Sequence, residues 1–445
     1  MERRILFTIM LTSFLTPFTG SALNLALPAL GTAYGVSPAQ LGWVLGSFLL
    51  AAIVVLLPFG HLADRYGKRR FFIWGNGIFA ITSLAACFAP SLPCLIAARA
   101  AQGIGSAMTF ATAMSILTLV IPKERRGWAM GWNVATVYTG LTLGPVVGGF
   151  LNYYYGWQSI FLLLSLLGTA AFFTARCFIQ TEWCEESRCA WDKPGAFLYG
   201  TAVILIIYGL SQLLSQPLAP YLLLAGLLLL GVFFRYEQHT AHPLLPVNLL
   251  RTNRSFSLSC LAALLNYCAT FATSFPLSLY LQSILGFSSR SAGLILLSQP
   301  IIMALLSPMM GKLSDKYAPT KLASWGMAVI TVGLTGFALT VHSLSFYLLI
   351  PMLLITGTGF ALFAAPNNNA IMSAVDKKHY SLAASLLSTV RLVGQVISVA
   401  IMNLILSLTW SGQSPQEVLW QNLAAALLFF ALLAASGIIP SRARK

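Results

Sequence analysis

Charge is what this 445-residue chain has least of: Asp, Glu, Lys and Arg together make up 8%, against roughly 25% in a soluble domain. With 58% hydrophobic residues and a mean hydropathy of +0.80, a water-soluble globule is excluded, and the solvent read from the composition is a lipid bilayer. Acids are scarcer than bases, eleven against 26, for a formal net charge of +15. The bases sit in short clusters between apolar runs, which is how a membrane protein fixes its orientation, so no nucleic-acid partner is expected. Seven cysteines show no metal or redox spacing. Cys87 and Cys94 flank one short connection and could bridge, although free thiols are expected there. The chain also lacks a His/Cys ligand set, a phosphate-cradling loop and a carboxylate pair facing a common span interior. An enzyme, a metal and a cofactor are therefore not expected. The first apolar run, from Arg3 and Arg4 to Leu30, exceeds the roughly 7 to 15 residues of a signal-peptide core and reads as a first span.

What is present is a succession of apolar runs, each near the roughly 20 residues a bilayer-crossing helix needs. Fourteen are read, over residues 5–30, 41–61, 70–89, 93–121, 127–151, 157–178, 194–213, 217–235, 255–283, 289–310, 320–341, 344–372, 380–408 and 415–439. Of the 26 bases, all but Arg290 and the intraspan Arg99 and Arg391 fall on one side of this arrangement. The positive-inside rule then puts both termini in the cytoplasm of a multi-pass protein of the plasma (cell inner) membrane, and this requires an even number of spans.

A charged turn is written twice. Gly60-His61-Leu62-Ala63-Asp64-Arg65-Tyr66-Gly67-Lys68-Arg69-Arg70 recurs as Gly311-Lys312-Leu313-Ser314-Asp315-Lys316-Tyr317, with Gly, Asp, a base and Tyr at the same spacing. Gly103-Ile104-Gly105 before Ala107 likewise matches Gly357-Thr358-Gly359 before Ala361. The chain therefore reads as two related six-helix halves. The expected division is an N-terminal bundle at 1–178, a solvated linker at 179–193, an inserted two-helix hairpin at 194–235, a second linker at 236–254 and a C-terminal bundle at 255–445.

On these residues the sequence resembles the major facilitator superfamily. Residues 60–70 match its cytoplasmic loop motif at every defined position, and Arg99-Ala100-Ala101-Gln102-Gly103-Ile104-Gly105 matches R-x-x-Q-G-x-G. Gly131, Gly140, Gly144-Pro145 and Gly148-Gly149 match the antiporter motif G-x8-G-x3-G-P-x2-G-G. With Asn24-Leu25-Ala26-Leu27-Pro28 and Trp43-Val44, and with fourteen spans, the chain is similar to the fourteen-span drug:proton antiporter family. The resemblance implies the major-facilitator fold: an all-α membrane protein of two six-helix bundles plus the hairpin. It also implies alternating access around a midplane site, with protons as the coupling ion.

Site residues follow from the residues and the resemblance together. Gly60, Asp64, Arg65, Gly67, Arg69, Arg70, Arg125, Arg126, Asp315 and Lys316 form either a topology-setting solvated loop or, as the resemblance implies, a latch in which the Asp caps a neighbouring helix. Gly131, Gly140, Gly144, Pro145, Gly148 and Gly149 form a close-packing seam, and the resemblance adds a hinge. Candidates to line a cavity are Asn24, Trp43, Gln102, Asn133, Tyr138, Asn266, Tyr267, Phe271, Gln299 and Gln395. Arg99 and Arg391 are intramembrane cations, each a functional-site hypothesis by default. For Arg99 the resemblance implies a part in proton transfer, and for Arg391 substrate and structural roles stand equal. No acid lies mid-span, and the position where the family carries one is Thr19. The expected function is export of small amphiphilic compounds, as in multidrug efflux and drug resistance, by a monomer in the bilayer. A dedicated exporter of one neutral or anionic metabolite is the alternative, and a non-transporting sensor or a lipid translocator is a further one.

Overall fold

The computed structural model describes the chain apart from residues 1, 37, 185–191, 212, 214–215, 241–242, 246, 275–276, 278–279, 282–284, 288, 344–345, 407–414 and 445. Residues 185–191 of the expected linker lie outside the described residues. Fourteen helices are long and apolar enough to cross a bilayer, and no strand occurs among the described residues. In order they are α1 (Glu2–Tyr34), α2 (Pro38–Tyr66), α3 (Lys68–Cys87), α4 (Leu92–Val120), α5 (Arg126–Tyr155), α6 (Gln158–Phe178), α7 (Lys193–Ser211), α8 (Ala219–Glu237), α9 (Arg254–Thr270), α10 (Ser298–Lys316), α11 (Pro319–Ser343), α12 (Leu349–Ser373), α13 (Tyr380–Leu406) and α14 (Pro415–Arg442). Helix is the expected answer, since a spanning segment must satisfy its own backbone groups where water is absent.

The charged turn is less of a turn than its composition suggests. Helix α2 continues to Tyr66 and α3 starts at Lys68, leaving Gly67 as the one residue between them, with φ at +109°. The second copy is likewise helical through Lys316, six residues past the boundary expected from hydropathy. Charges end an apolar run without ending a helix, because the last turn can carry them into the interface.

By packing, the chain forms two units. One comprises Met1–Lys123, Thr136–Asn253 and Val375–Thr389, and the other Glu124–Ala135, Arg254–Ala374 and Val390–Lys445. The first ten residues of α5 and of α13 thus pack in a different unit from the remainder of the same helix. The core of the first unit joins Phe18, Leu23, Val44, Phe48, Phe79, Leu95 and Phe161, drawn from α1, α2, α3, α4 and α6.

The internal repeat is visible as packing within each unit. A Cβ on Gly75 of α3 would lie 2.7 Å from Gly105 O of α4, and a Cβ on Gly326 of α11 would lie 2.7 Å from Gly359 O of α12. Gly103 faces the Phe48 backbone of α2, and Gly357 faces Gln299 O of α10. Small residues let these backbones approach, as membrane helices require in the absence of a strong hydrophobic drive.

Candidate functional site

Helix starts expose unsatisfied N–H groups, and acids are the natural partners for them. In the second unit Asp315, near the end of α10, accepts from the N–H of Gly127 at 2.6 Å and of Trp128 at 2.9 Å, both in the first turn of α5. One oxygen serves each donor. Gly127 is needed there because a Cβ would meet Gly311 O and the Asp315 carboxylate itself. One turn on, a Cβ at Gly131 would lie 2.5 Å from Ser307 O. Beside this cap Arg125 is exposed and lies over the Trp128 ring at 5.1 Å, Lys316 is exposed, and Arg126 is buried.

The first copy of the motif sits in the first unit and uses its charges differently. Asp64 pairs with Lys68 at 2.6 Å, one turn apart across Gly67, and Arg65 lies over Tyr66 at 5.1 Å. Glu182, from the segment after α6, supplies the helix cap: its carboxylate accepts from Arg69 N–H at 2.9 Å and lies 3.6 Å from Arg70 Nε. Lys68 N–H donates to Trp183 O at 3.0 Å, and Arg69 Nε donates to Ile179 O. Residues expected to form a solvated linker are docked here over Ile179–Trp183, because α3 offers unpaired N–H groups and a cationic end. Glu182 is a site residue that the sequence reading missed. Its only signal was an acid in a polar stretch, and its partners lie more than 110 positions away.

The remaining antiporter-motif glycines face α1 within the first unit. A Cβ on Gly140 would lie 2.7 Å from Phe14 O, one on Gly144 would meet Ser21 Oγ, and one on Gly148 would lie 2.8 Å from Ala22 Cα. Ser21 Oγ also lies 3.4 Å from Gly140 O. Pro145 falls inside the continuous α5 helix, and Gly149 is half-buried on it. Spacing of four residues brings Gly140, Gly144 and Gly148 to one face, as the sequence required.

The intramembrane arginines are both engaged. Arg99, 1% exposed, donates from Nε to Val44 O at 2.9 Å and from Nη1 to Gln102 Oε1, and lies over the Phe48 ring at 4.5 Å. Gln102 Nε2 donates onward to Ser83 Oγ at 2.7 Å. This network ties α4 to α2 and α3 and satisfies a guanidinium that would otherwise be costly in an apolar interior. In the second unit Arg391 of α13 hydrogen-bonds Tyr267 of α9, whose ring lies 5.9 Å from Phe360. Gly394, one turn along, permits the approach, with a Cβ there lying 2.9 Å from Tyr267 Cβ.

The other cavity candidates are dispersed. Trp43 stacks on Tyr208 of α7 at 6.0 Å, and Asn24 is exposed on α1. Asn133 and Asn266 are buried with amide oxygens that meet no donor among the described residues, and Asn266 Nδ2 lies 3.1 Å from Met327 Sδ. Tyr138 is buried, Phe271 is exposed in a short 3-10 turn after α9, and Gln299 and Gln395 are half-buried. At the position where an acid was expected, Thr19 is buried and donates to Leu15 O at 2.6 Å.

Fourteen helices able to span a bilayer, a charged motif written twice and a glycine-faced fifth helix define a polytopic membrane protein. The profile described as Major Facilitator Superfamily matches residues 9–248 and 259–444, and the chain belongs to that superfamily. It is 30% identical over 387 residues to the riboflavin transporter RibZ of Clostridioides difficile (strain 630), covering 87% of this chain and 84% of that one. It is 27% identical over 418 residues to the multidrug resistance protein Stp of Mycobacterium tuberculosis (strain CDC 1551 / Oshkosh), covering 92% and 77%. In fold it is similar to the human organic anion transporter MFSD10, with a TM-score of 0.69, 14% identity and 99% of both chains covered.

Proposed function

We propose that this transporter exports small amphiphilic compounds by alternating access in exchange for protons, from a plasma membrane in which both termini are cytoplasmic. The observation that carries the reading is the glycine face of α5. Its motif residues meet Ser307 and Gly311 of α10 in one unit and Phe14, Ser21 and Ala22 of α1 in the other, so this helix can slide on bare backbone where side chains would interlock. The Asp315 cap serves as a latch that holds the start of α5 in one state. Arg391 and Tyr267, already hydrogen-bonded, offer donors to a polar substrate group. Similarity to a protein named for multidrug resistance supports export.

The test is uptake into inside-out proteoliposomes of cationic, neutral and anionic amphiphiles, with and without an imposed pH gradient. Gradient-driven uptake of several compounds is expected. Uptake of one compound alone, or uptake indifferent to the gradient, would replace this reading with a second: a dedicated exporter of one neutral or anionic metabolite. That second reading is favoured by Thr19, which puts a neutral hydroxyl where a cation-binding carboxylate would otherwise stand.

A further inference from the structure

Two acids at the mouth of the hairpin face one another with no base between them among the described residues. Asp192 immediately precedes α7 and Glu237 ends α8, and they are 6% and 2% exposed. Asp192 Oδ1 accepts from Gly195 N–H at 2.9 Å and from Tyr236 O–H at 3.2 Å. Glu237 Oε2 accepts from Leu245 N–H at 3.1 Å. The two remaining oxygens, Asp192 Oδ2 and Glu237 Oε1, are buried and meet no donor among the described residues. Both point to one spot over Gly195, where a Cβ would meet Asp192 Oδ2 and would lie 2.5 Å from Glu237 Oε1. The glycine is what leaves room for them.

We propose that Asp192 and Glu237 bind a single proton between these two oxygens, forming a carboxylic acid–carboxylate pair that clasps α7, α8 and the segment at Leu245 together. Two buried carboxylates at this separation cannot both remain ionised without a compensating charge. The described ion pairs, Asp64 with Lys68 and Glu182 with Arg70, supply none here. The titratable groups around the pair are otherwise engaged or turned outward. Lys193 on α7 and Arg235 on α8 are exposed, and His239 Nδ1 lies 2.9 Å from Arg235 O. On α2, which packs against α7, Asp64 is paired with Lys68 and Arg65 lies over Tyr66.

A metal ion does not suit the gap. Each carboxyl has one oxygen left, two in all, whereas calcium takes about six to eight oxygen ligands and magnesium about six. A proton needs two. When it leaves, two anions oppose each other in a buried site, and their repulsion strains the join between α7 and α8 while Leu245 N–H still donates to Glu237.

The experiment uses the full-length purified protein and reads the proton directly by infrared spectroscopy. At neutral pH the wild type should show the C=O stretch of a neutral carboxyl, absent from Glu237→Gln and from Asp192→Asn, each of which leaves a lone acid beside an amide. A second readout is melting temperature against pH. The folded pair holds a proton that the unfolded chain releases, so wild-type stability should fall as pH rises, and Glu237→Gln, a mimic of the protonated acid, should lose that dependence. A carboxyl band unchanged in both variants, or an unaltered pH profile in Glu237→Gln, would overturn the proposal. So would a wild type with no neutral-carboxyl band at all. If Glu237→Gln does not fold, Asp192→Asn asks the same question from the other side.

Discussion

At Gly67 the backbone turns with φ at +109°, and a Cβ would lie 2.5 Å from the Glu182 carboxyl carbon. A positive φ costs a non-glycine residue about 1–3 kcal/mol, and Gly286, at φ +70° where a Cβ would meet nothing among the described residues within 4 Å, is the positive-φ comparison without a crowding carboxylate. Glu182 is flexible enough to swing away, but in doing so it gives up Arg69 N–H and Arg70. Gly67→Ala should therefore lower the melting temperature more than Gly286→Ala does, by the equivalent of about 1–2 kcal/mol for the lost cap. Equal losses would show that Glu182 rearranges without penalty. Arg99 supports a different comparison. Arg99→Leu orphans Gln102 Oε1 in a buried site, at about 1–3 kcal/mol, whereas Val44 O sits inside α2 and keeps its helical bond. Adding Gln102→Leu removes that orphan, so the double variant should melt higher than Arg99→Leu alone. A double variant that melts lower would mean that Gln102 stabilises α4 chiefly through Ser83.

Helix α5 concentrates the constraints at the next scale. A Cβ on Gly148 would lie 2.8 Å from Ala22 Cα, which cannot rotate away, whereas a Cβ on Gly20 of α1 would meet nothing among the described residues within 4 Å. Gly148→Ala should part α5 from α1 and reduce both thermal stability and transport. Gly20→Ala should be neutral or stabilise by up to about 1 kcal/mol, the intrinsic preference of a helix for Ala. At the other end of the helix, Asp315→Asn keeps one acceptor oxygen for Gly127 or Trp128 and removes the charge that favours a helix start. It should cost about 0.5–2 kcal/mol, read as a fall in melting temperature. The elements themselves were legible because the bilayer forces a helix of fixed length, and the seam was legible because glycines at intervals of four share a face. The partners of that seam were not, since Ser21 and Ser307 lie far along the chain on either side of it. Asp315 could be found because the repeat copied it, while Glu182 has no copy to point to it. The acid pair at Asp192 and Glu237 was hidden for the same reason: the two residues fall in the separate stretches read as linkers, 179–193 and 236–254, and only the folded hairpin brings them together.

For the whole molecule, the hairpin α7–α8 is the part that the internal repeat does not account for, and its helices pack on each other and, through α7, on α2. Its two helices are stitched to each other by glycines, Gly209 against Leu223 and Gly226 against Ile206. They dock on the first unit through α2: Tyr199 O–H donates to Ile53 O at 3.0 Å, Gly200 approaches Val54, and Tyr208 stacks on Trp43. Only 17% of the α8 span is buried, against 72% of the α4 span, so the hairpin contributes little to the core that holds the first unit together. A stability gradient follows, because elements with few buried contacts open at lower free energy than the core does. Tyr199→Phe combined with Trp43→Leu removes one hydrogen bond and one ring stack, each of the order of 1 kcal/mol, both at the hairpin. Hydrogen exchange in the purified double variant should accelerate over 193–237 while α4 amides keep their wild-type protection. Acceleration spreading equally into α4 would instead make the hairpin part of one cooperative unit with the bundle, and its insertion would have become integral to how the first unit folds.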